Sequence, residues 1–262
     1  MPINRYKLLS FPLDDLALNT ELRKADFAIN EPSKTTRFPV RALRYWWVFQ
    51  FIQNMNPVEE LTILDMGVDH GQMARYYRGA AHLYPTNPTR RVRWLGLDWR
   101  SNRRLLAAGY DAAVQCDFDQ GLPLADRSVD VVVCLHVMEH LPRPAFAMQE
   151  ISRVLKPGGR LLAGSPTAPA PAAFFIERWL RKRLREGKVA PGGHIHSLSP
   201  WAWRRGVALA GLRLEFMSGG YFFRSAGFFL ENHASWIRLN LLWGATFPSL
   251  GSEIYLCAVK PA

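Results

Sequence analysis

Apolar residues along the chain follow two rhythms. Short apolar runs, LTILDM (61–66), VRWLGLD (92–98), AAVQC (112–116), VDVVVCL (129–135) and GRLLAGS (159–165), alternate with stretches whose apolar positions recur every three or four residues. The periodic stretches include the segment from Gln72, SNRRLLAAG (101–109) and PAFAMQEISRVL (144–155). Apolar runs separated by helical patterns predict parallel strands joined by crossover helices, a doubly wound α/β sheet. Ahead of this core, PVRALRYWWVFQFIQNM (39–55) carries a helical apolar face through Leu43, Trp46, Trp47, Phe51 and Ile52 and predicts a helix packed on the domain C-terminal to it. Beyond residue 165 come a Pro/Ala stretch, a basic helix, a further helix over SPWAWRRGVALAG (199–211) and a closing strand, EIYLCAVK (253–260). The expected organisation is an N-terminal segment with its leading helix over 1–58, and one domain over 59–262 with a basic helical insertion at 168–198.

Composition fits that picture. With 262 residues and 48% hydrophobic content, the chain can bury the core of a single α/β domain. Cys116, Cys134 and Cys257 form no CxxC pair, and two of them fall in strand-like runs, which argues against a disulfide frame or zinc knuckle and for a reducing cytoplasm. The first residues, MPINRYKLLSFPLDD, acquire acids before an apolar signal region forms, so a soluble or peripheral protein is expected.

Charge adds a question about partners. A net charge of +11 predicts an anionic one. The basic residues gather in FFIERWLRKRLREGK (174–188), where Phe175, Ile176, Trp179, Leu180 and Leu184 share one half of the helical wheel. Arg178, Arg181, Lys182, Arg185 and Lys188 occupy the other half, and Arg183 intrudes on the apolar side. Such a helix is expected to dock its apolar half on its own domain. A peripheral contact with an anionic membrane surface is the alternative.

The chemistry begins at the first turn. In open α/β sheets ligands sit beyond the carboxyl ends of the strands, near backbone N–H groups and a helix N-terminus. DMGVDHGQ (65–72) supplies Gly67 and Gly71 where close approach or a positive φ is needed. It is neither GxGxxG, because Asp69 and Gln72 stand at the later glycine positions, nor a phosphate loop, because no GKS or GKT comes after it. The second strand ends in Asp98, a carboxylate placed to accept from two vicinal ribose hydroxyls. The third is followed by Asp117, an acceptor for an exocyclic amine, and Phe118, an apolar face for adenine.

This order of features, with LPLADRSVDVVVCLHVMEHL and EISRVLKPGGRLLAGSP after it, resembles the class I S-adenosylmethionine-dependent methyltransferases, within them the ubiquinone and menaquinone group. The resemblance covers residues 59–165 and extends more weakly to the end through GGHIHSLSPWAWRRGVALAGLRLEF. It implies a Rossmann-like, three-layered sheet of about seven strands with an antiparallel last strand, and S-adenosylmethionine as cofactor. It further implies that Asp65 and Gly67 shape the turn around the methionine moiety, that Gly71 starts the helix beneath it, and that Asp98, with Trp99 beside it, holds the ribose. Asp117 and Phe118 would frame the adenine, and Leu135 and His136 would line the floor near the sulfonium. Asp69 departs from the glycine common in the family and brings a carboxylate to the cofactor turn.

Two histidine groups are candidates for acid–base work on an acceptor. His136 and His140 flank Glu139 after the fourth strand, and His194 and His196 sit in a loop expected to overhang the cofactor. H-x-x-E-H is also the inverted zinc-protease signature, which on a helix would set His136 and His140 on one face. The motif starts directly off a buried strand, Pro142 comes soon after it, and no downstream acid stands out as a third ligand, so no metal is expected and a zinc hydrolase is the remote alternative. No N/D-P-P-Y/F stands after the fourth strand and there is no clustered RNA-binding signature, so no specific nucleic-acid partner is expected. A small-molecule, sugar or lipid-linked acceptor remains, with O-methylation the first choice. A methyltransferase fold that serves only as a binding module is the other alternative.

Overall fold

The structure, a computed structural model, describes residue 13 and residues 43–55, 60–80, 91–100, 109–189, 192–222 and 228–262. The helix expected over 101–108 and the N-terminal segment through residue 42, apart from Leu13, lie outside the described residues.

Seven strands form one sheet: β1 (Glu60–Met66), β2 (Arg91–Asp98), β3 (Ala112–Gln115), β4 (Val129–Leu135), β5 (Leu155–Pro166), β6 (Arg213–Gly219) and β7 (Glu253–Val259). Their order is β3-β2-β1-β4-β5-β7-β6. β1 runs parallel to β2 and β4, β3 to β2, and β5 to β4, whereas β7 runs antiparallel to both β5 and β6. The expected doubly wound sheet with an antiparallel last strand is what the chain forms. Six helices stand among the described residues: α1 (Leu43–Gln53), α2 (Gln72–Ala80), α3 (Pro144–Val154), α4 (Ala170–Arg185), α5 (Pro200–Leu209) and α6 (Ala234–Thr246).

Strand alternation distributes the core over both faces of the sheet. Leu61, Ile63, Val131 and Val133 point into one cluster with Trp94, Tyr110 and the helices α1, α2 and α6. Leu64, Met66, Val132 and Cys134 point into the other with α3 and α5. Local signals set several boundaries. Pro144 and Pro200 occupy the first positions of α3 and α5, where the missing N–H loses nothing, and Ser199 caps α5 by accepting from the Ala202 N–H at 3.2 Å. KPGG (156–159) lies inside β5. Pairing there passes from Val129 with Leu155 to Val131 with Arg160, so Lys156–Gly159 loops out with Gly158 at φ 78°.

The stripe expected on α1 is too narrow. Val48 and Phe49 are as deeply buried as Trp47 and Ile52, because the helix is apolar round most of its circumference and lies within the first cluster, which Leu13 also joins. The Trp47 ring meets Phe51, Phe216 and Tyr255 with centroids 5.1, 6.3 and 5.5 Å away. α4 departs further from expectation. Only Ala173 and Leu180 are buried, while Phe174, Phe175 and Trp179 are 64%, 68% and 53% exposed, so its apolar half is not docked on the domain. The helix touches its own core through too narrow a ridge to cover that half. The intruding Arg183 places its guanidinium 4.8 Å from the Trp179 ring centroid.

Because Trp47 fills the space between α1 and the β6/β7 side of the sheet, Trp47→Ala should destabilise the domain by about 3–5 kcal/mol. Urea unfolding followed by circular dichroism measures this.

Candidate active site

The carboxyl ends of the parallel strands converge on one edge, and the turn after β1 is built there from three left-handed residues. Gly67, Asp69 and Gly71 have φ of 72°, 44° and 79°. Gly67 has no alternative, since a Cβ at that position would lie 2.5 Å from Val137 Cγ2, in the turn that leaves β4. The Gly67 N–H donates to the Leu97 carbonyl at 2.8 Å and the Gly71 N–H to the Val68 carbonyl at 2.7 Å, turning the chain into α2. Aspartate is one of the few side chains that tolerate the left-handed region. Its use at position 69 therefore preserves the backbone that a glycine would adopt.

Asp98 closes β2 beneath this turn and is buried. Its Oδ2 accepts from the Asp69 N–H and its Oδ1 from the Arg100 N–H, each at 2.9 Å. One backbone donor on each oxygen leaves further acceptor positions on the carboxylate. Asp69 turns its own side chain outward, 58% exposed and 3.6 Å from His70. Trp99 is exposed beneath the Arg100 guanidinium, 4.5 Å from its ring centroid. Asp65 is buried one residue before the end of β1 and accepts from the Tyr110 hydroxyl. Burial raises its pKa to about 7 against the pull of that hydrogen bond, and the nearby Asp98 charge raises it further.

After β3, Asp117 is exposed and folds a turn in which its Oδ1 accepts from the Asp119 N–H at 3.0 Å. Phe118, only 4% exposed, is packed in the second core cluster with Leu97 and Leu122, so its ring serves the core rather than an open adenine face. Leu135 is half-buried at the end of β4 against the first cluster.

The histidines meet at the end of β4. His136 has φ 55°, and its N–H donates to the Gly164 carbonyl at 2.8 Å. Its Nδ1 lies 3.5 Å from Glu139 Oε1 and its Nε2 3.6 Å from Glu253 Oε1. A 3-10 turn, Met138–His140, comes next. His136 thus stands outside the helical turn that holds His140, and the H-x-x-E-H segment does not form the helix face an inverted zinc protease needs. Glu139 is buried, and its backbone carbonyl accepts from the N–H groups of Ile195 and His196 at 2.9 and 3.0 Å. That pins the loop carrying the second histidine pair onto the first. His140 Nδ1 donates to the Gly193 carbonyl at 3.1 Å, and the His140 and His194 rings meet edge to face with centroids 4.8 Å apart. His196 points elsewhere, bonded to Glu177 Oε1 of α4 at 2.8 Å. Burial pushes Glu177 upward, but bonds from the Ser197 N–H, His196 and Arg181 outweigh it and hold the carboxyl below its usual range. Burial raises Glu139 to about 8.

Sequence reasoning missed Glu253, Arg44 and Glu177. Glu253 is buried at the head of β7, accepts from the Tyr255 hydroxyl and has the Arg44 guanidinium of α1 at 3.7 Å. It reaches the site because β7 is antiparallel: its first residue pairs with Pro166, at the carboxyl end of β5. The only local signal was an acid heading an apolar run. Glu177 was placed among the residues of a basic helix, and nothing local announced its bond to His196.

Residues 64–163, from within β1 to within β5, match the methyltransferase domain family. Over these residues the chain is similar to a methyltransferase domain. It is similar to the thiol S-methyltransferase TMT1B of Rattus norvegicus, 33% identical over 103 residues that make up 39% of this chain and 41% of that one. It is similar too to the ubiquinone biosynthesis O-methyltransferase of Xanthomonas euvesicatoria, 33% identical over 35% of this chain and 38% of that one. The chain thus matches about two-fifths of the length of these curated relatives. In fold it resembles a geranyl diphosphate methyltransferase solved with GPP and sinefungin, with a TM-score of 0.55 at 15% identity over 84% of this chain and 78% of that one. The strand order is the one expected from the sequence motifs, and the fold is shared with that structure.

Asp65 gives the site a pH signature. Its folded-state pKa, about 7, lies above the unfolded value of 3.8, so the associated stability is full below the unfolded value and is lost as pH rises through 7. Asp65→Asn removes this titration, and its unfolding free energy should gain on the wild type between about pH 5 and about pH 8. Paired denaturation curves across that range measure the gain.

Proposed function

We propose that the protein is an S-adenosylmethionine-dependent methyltransferase that methylates a hydroxyl on a small-molecule, sugar or lipid-linked acceptor. The observation that carries this reading is the buried Asp98 carboxylate, which ties two turns at the sheet edge through one backbone donor per oxygen and keeps acceptor capacity for a vicinal diol. The residues present fit the cofactor. The left-handed turn at Gly67, Asp69 and Gly71 keeps Cβ bulk away at positions 67 and 71, and the Asp69 side chain is turned to solvent. That outward side chain removes one of the two grounds for a pure binding module, a carboxylate crowding the turn; the other ground was the basic surface.

When bound, S-adenosylmethionine supplies a methyl group already activated by a sulfonium. The chain's own residues then have two tasks. Asp98 and the turn orient the donor, and alignment alone lowers the barrier by several kcal/mol in favourable cases, on the order of 7–11. At the adjoining end of β4, His136, His140 and His194 offer imidazoles to receive the proton of an acceptor hydroxyl. Support for an oxygen acceptor comes from this cluster together with the O-methyltransferase among the relatives, although a thiol enzyme stands beside it.

A lipid-linked acceptor draws support from α4. Its exposed Phe174, Phe175 and Trp179 share the helix with exposed Arg178, Arg181, Lys182 and Arg185, a combination suited to an anionic bilayer surface. No helix among the described residues is long and apolar enough to cross a membrane, so contact would be peripheral.

Two measurements test the reading. Charge-assisted hydrogen bonds contribute about 1.5–3 kcal/mol each, so Asp98→Ala should weaken S-adenosylmethionine binding about tenfold or more in calorimetry, and unchanged affinity in the folded variant removes Asp98 from the site. The protein should sediment with anionic and not neutral vesicles at low salt and be released as salt rises. Arg181, Lys182 and Arg185 changed together to Gln should abolish sedimentation while donor binding persists.

A further inference from the structure

The His–Glu cluster holds more than a proton acceptor. We propose that Glu139, His140 and His194 form a binding site for a divalent transition-metal ion at the carboxyl end of β4. One donor atom from each side chain lies within 4.8 Å of the other two. Two imidazoles and one carboxylate with an open position are the donor set that zinc and its first-row neighbours take in catalytic sites.

Each ligand is prepared for the role. The Glu139 side chain is 2% exposed, and neither carboxyl oxygen receives a hydrogen bond from another residue. A buried acid in that condition is costly unless a cation or proton meets it. Glu139 Oε1 faces His140 Nε2 at 3.9 Å. His140 is oriented from behind: the Gly193 carbonyl can only accept, so Nδ1 carries a proton, and Nε2 is the nitrogen that faces Glu139. This backbone bond to the non-ligating nitrogen is the arrangement that orients metal-bound histidines. His194 comes from a separate segment, and that segment is fastened by the Ile195 and His196 N–H groups to the carbonyl of Glu139 itself.

His136 is excluded from the ligand set, since its two nitrogens face Glu139 and Glu253 and it precedes the 3-10 turn. In this set Glu139 is a ligand, not the base of a protease. The site is open on the side of the exposed His194. A bound ion there would take an acceptor's hydroxyl oxygen and lower its pKa, so that the proton can leave to water on the open side. That consequence rests on the methyl-transfer reading; the metal site itself does not.

Chelator-treated protein is titrated with zinc against a competing chromophoric chelator, and with cobalt(II) followed by its visible absorption. The wild type should take up a single equivalent of zinc and give a cobalt spectrum of low-symmetry nitrogen and oxygen coordination. Glu139→Gln should lose about tenfold or more in affinity. His194→Ala, at an exposed loop position where folding is not at stake, should lose as much. Asp98→Ala should bind zinc as the wild type does, so failure of donor binding and failure of the metal site are read separately. Absence of stoichiometric uptake by the wild type overturns the proposal, as does wild-type affinity in both ligand variants. Zinc uptake by a protein that binds no S-adenosylmethionine upholds the metal site and overturns the methyl-transfer reading.

Discussion

The site depends on the carboxylate of Asp98. It is buried at the end of β2 and accepts main-chain N–H groups from the turn after β1 and from the turn after its own strand. Two backbone segments about thirty residues apart are held in register by one side chain, and the left-handed Asp69 is part of that grip. The same requirement explains Gly67. The turn after β4 presses against it so closely that no side chain fits, which brings the ends of β1, β2 and β4 to one edge.

A second constraint is the reversal of β7. Parallel strands deliver their carboxyl ends to the site, and an antiparallel strand inserted between β5 and β6 delivers its amino end instead. Glu253 therefore stands opposite His136, with Arg44 of α1 and the Tyr255 hydroxyl on its other sides. Buried charge of both signs accumulates behind the histidines, and Glu253 is held there by partners from distant parts of the chain. Glu139 differs, because no other residue donates a hydrogen bond to either carboxyl oxygen, and that deficit is what a metal ion would relieve.

α4 shows how the fold couples its surface to its site. Glu177 accepts from His196 and from the Ser197 N–H, so the helix that carries the exposed aromatic and basic residues also holds the loop that brings His194 to His140. The apolar half of the helix remains in solvent, since Ala173 and Leu180 are the only ridge it buries.

What the sequence determined by itself is whatever local pattern can encode. Alternating apolar runs and periodic helices specified the doubly wound sheet, the glycine spacing specified the first turn, and the acid closing β2 marked Asp98. These signals are legible because each arises within a few residues of chain. Other assignments were decided only by tertiary packing. Phe118 went to the core rather than to an open face, because the chain after β3 turns it into the cluster around Leu97 and Leu122. The H-x-x-E-H segment did not become a helix face, because Gly67 and Val137 fix a turn there with His136 in the left-handed region. Glu253, Arg44 and Glu177 joined the site across separations of tens to hundreds of residues, where sequence spacing carries no information about distance. The meeting of His194 with Glu139 and His140 belongs to the same class: two backbone hydrogen bonds between a loop and a 3-10 turn decide it, and neither segment contains a residue that names the other.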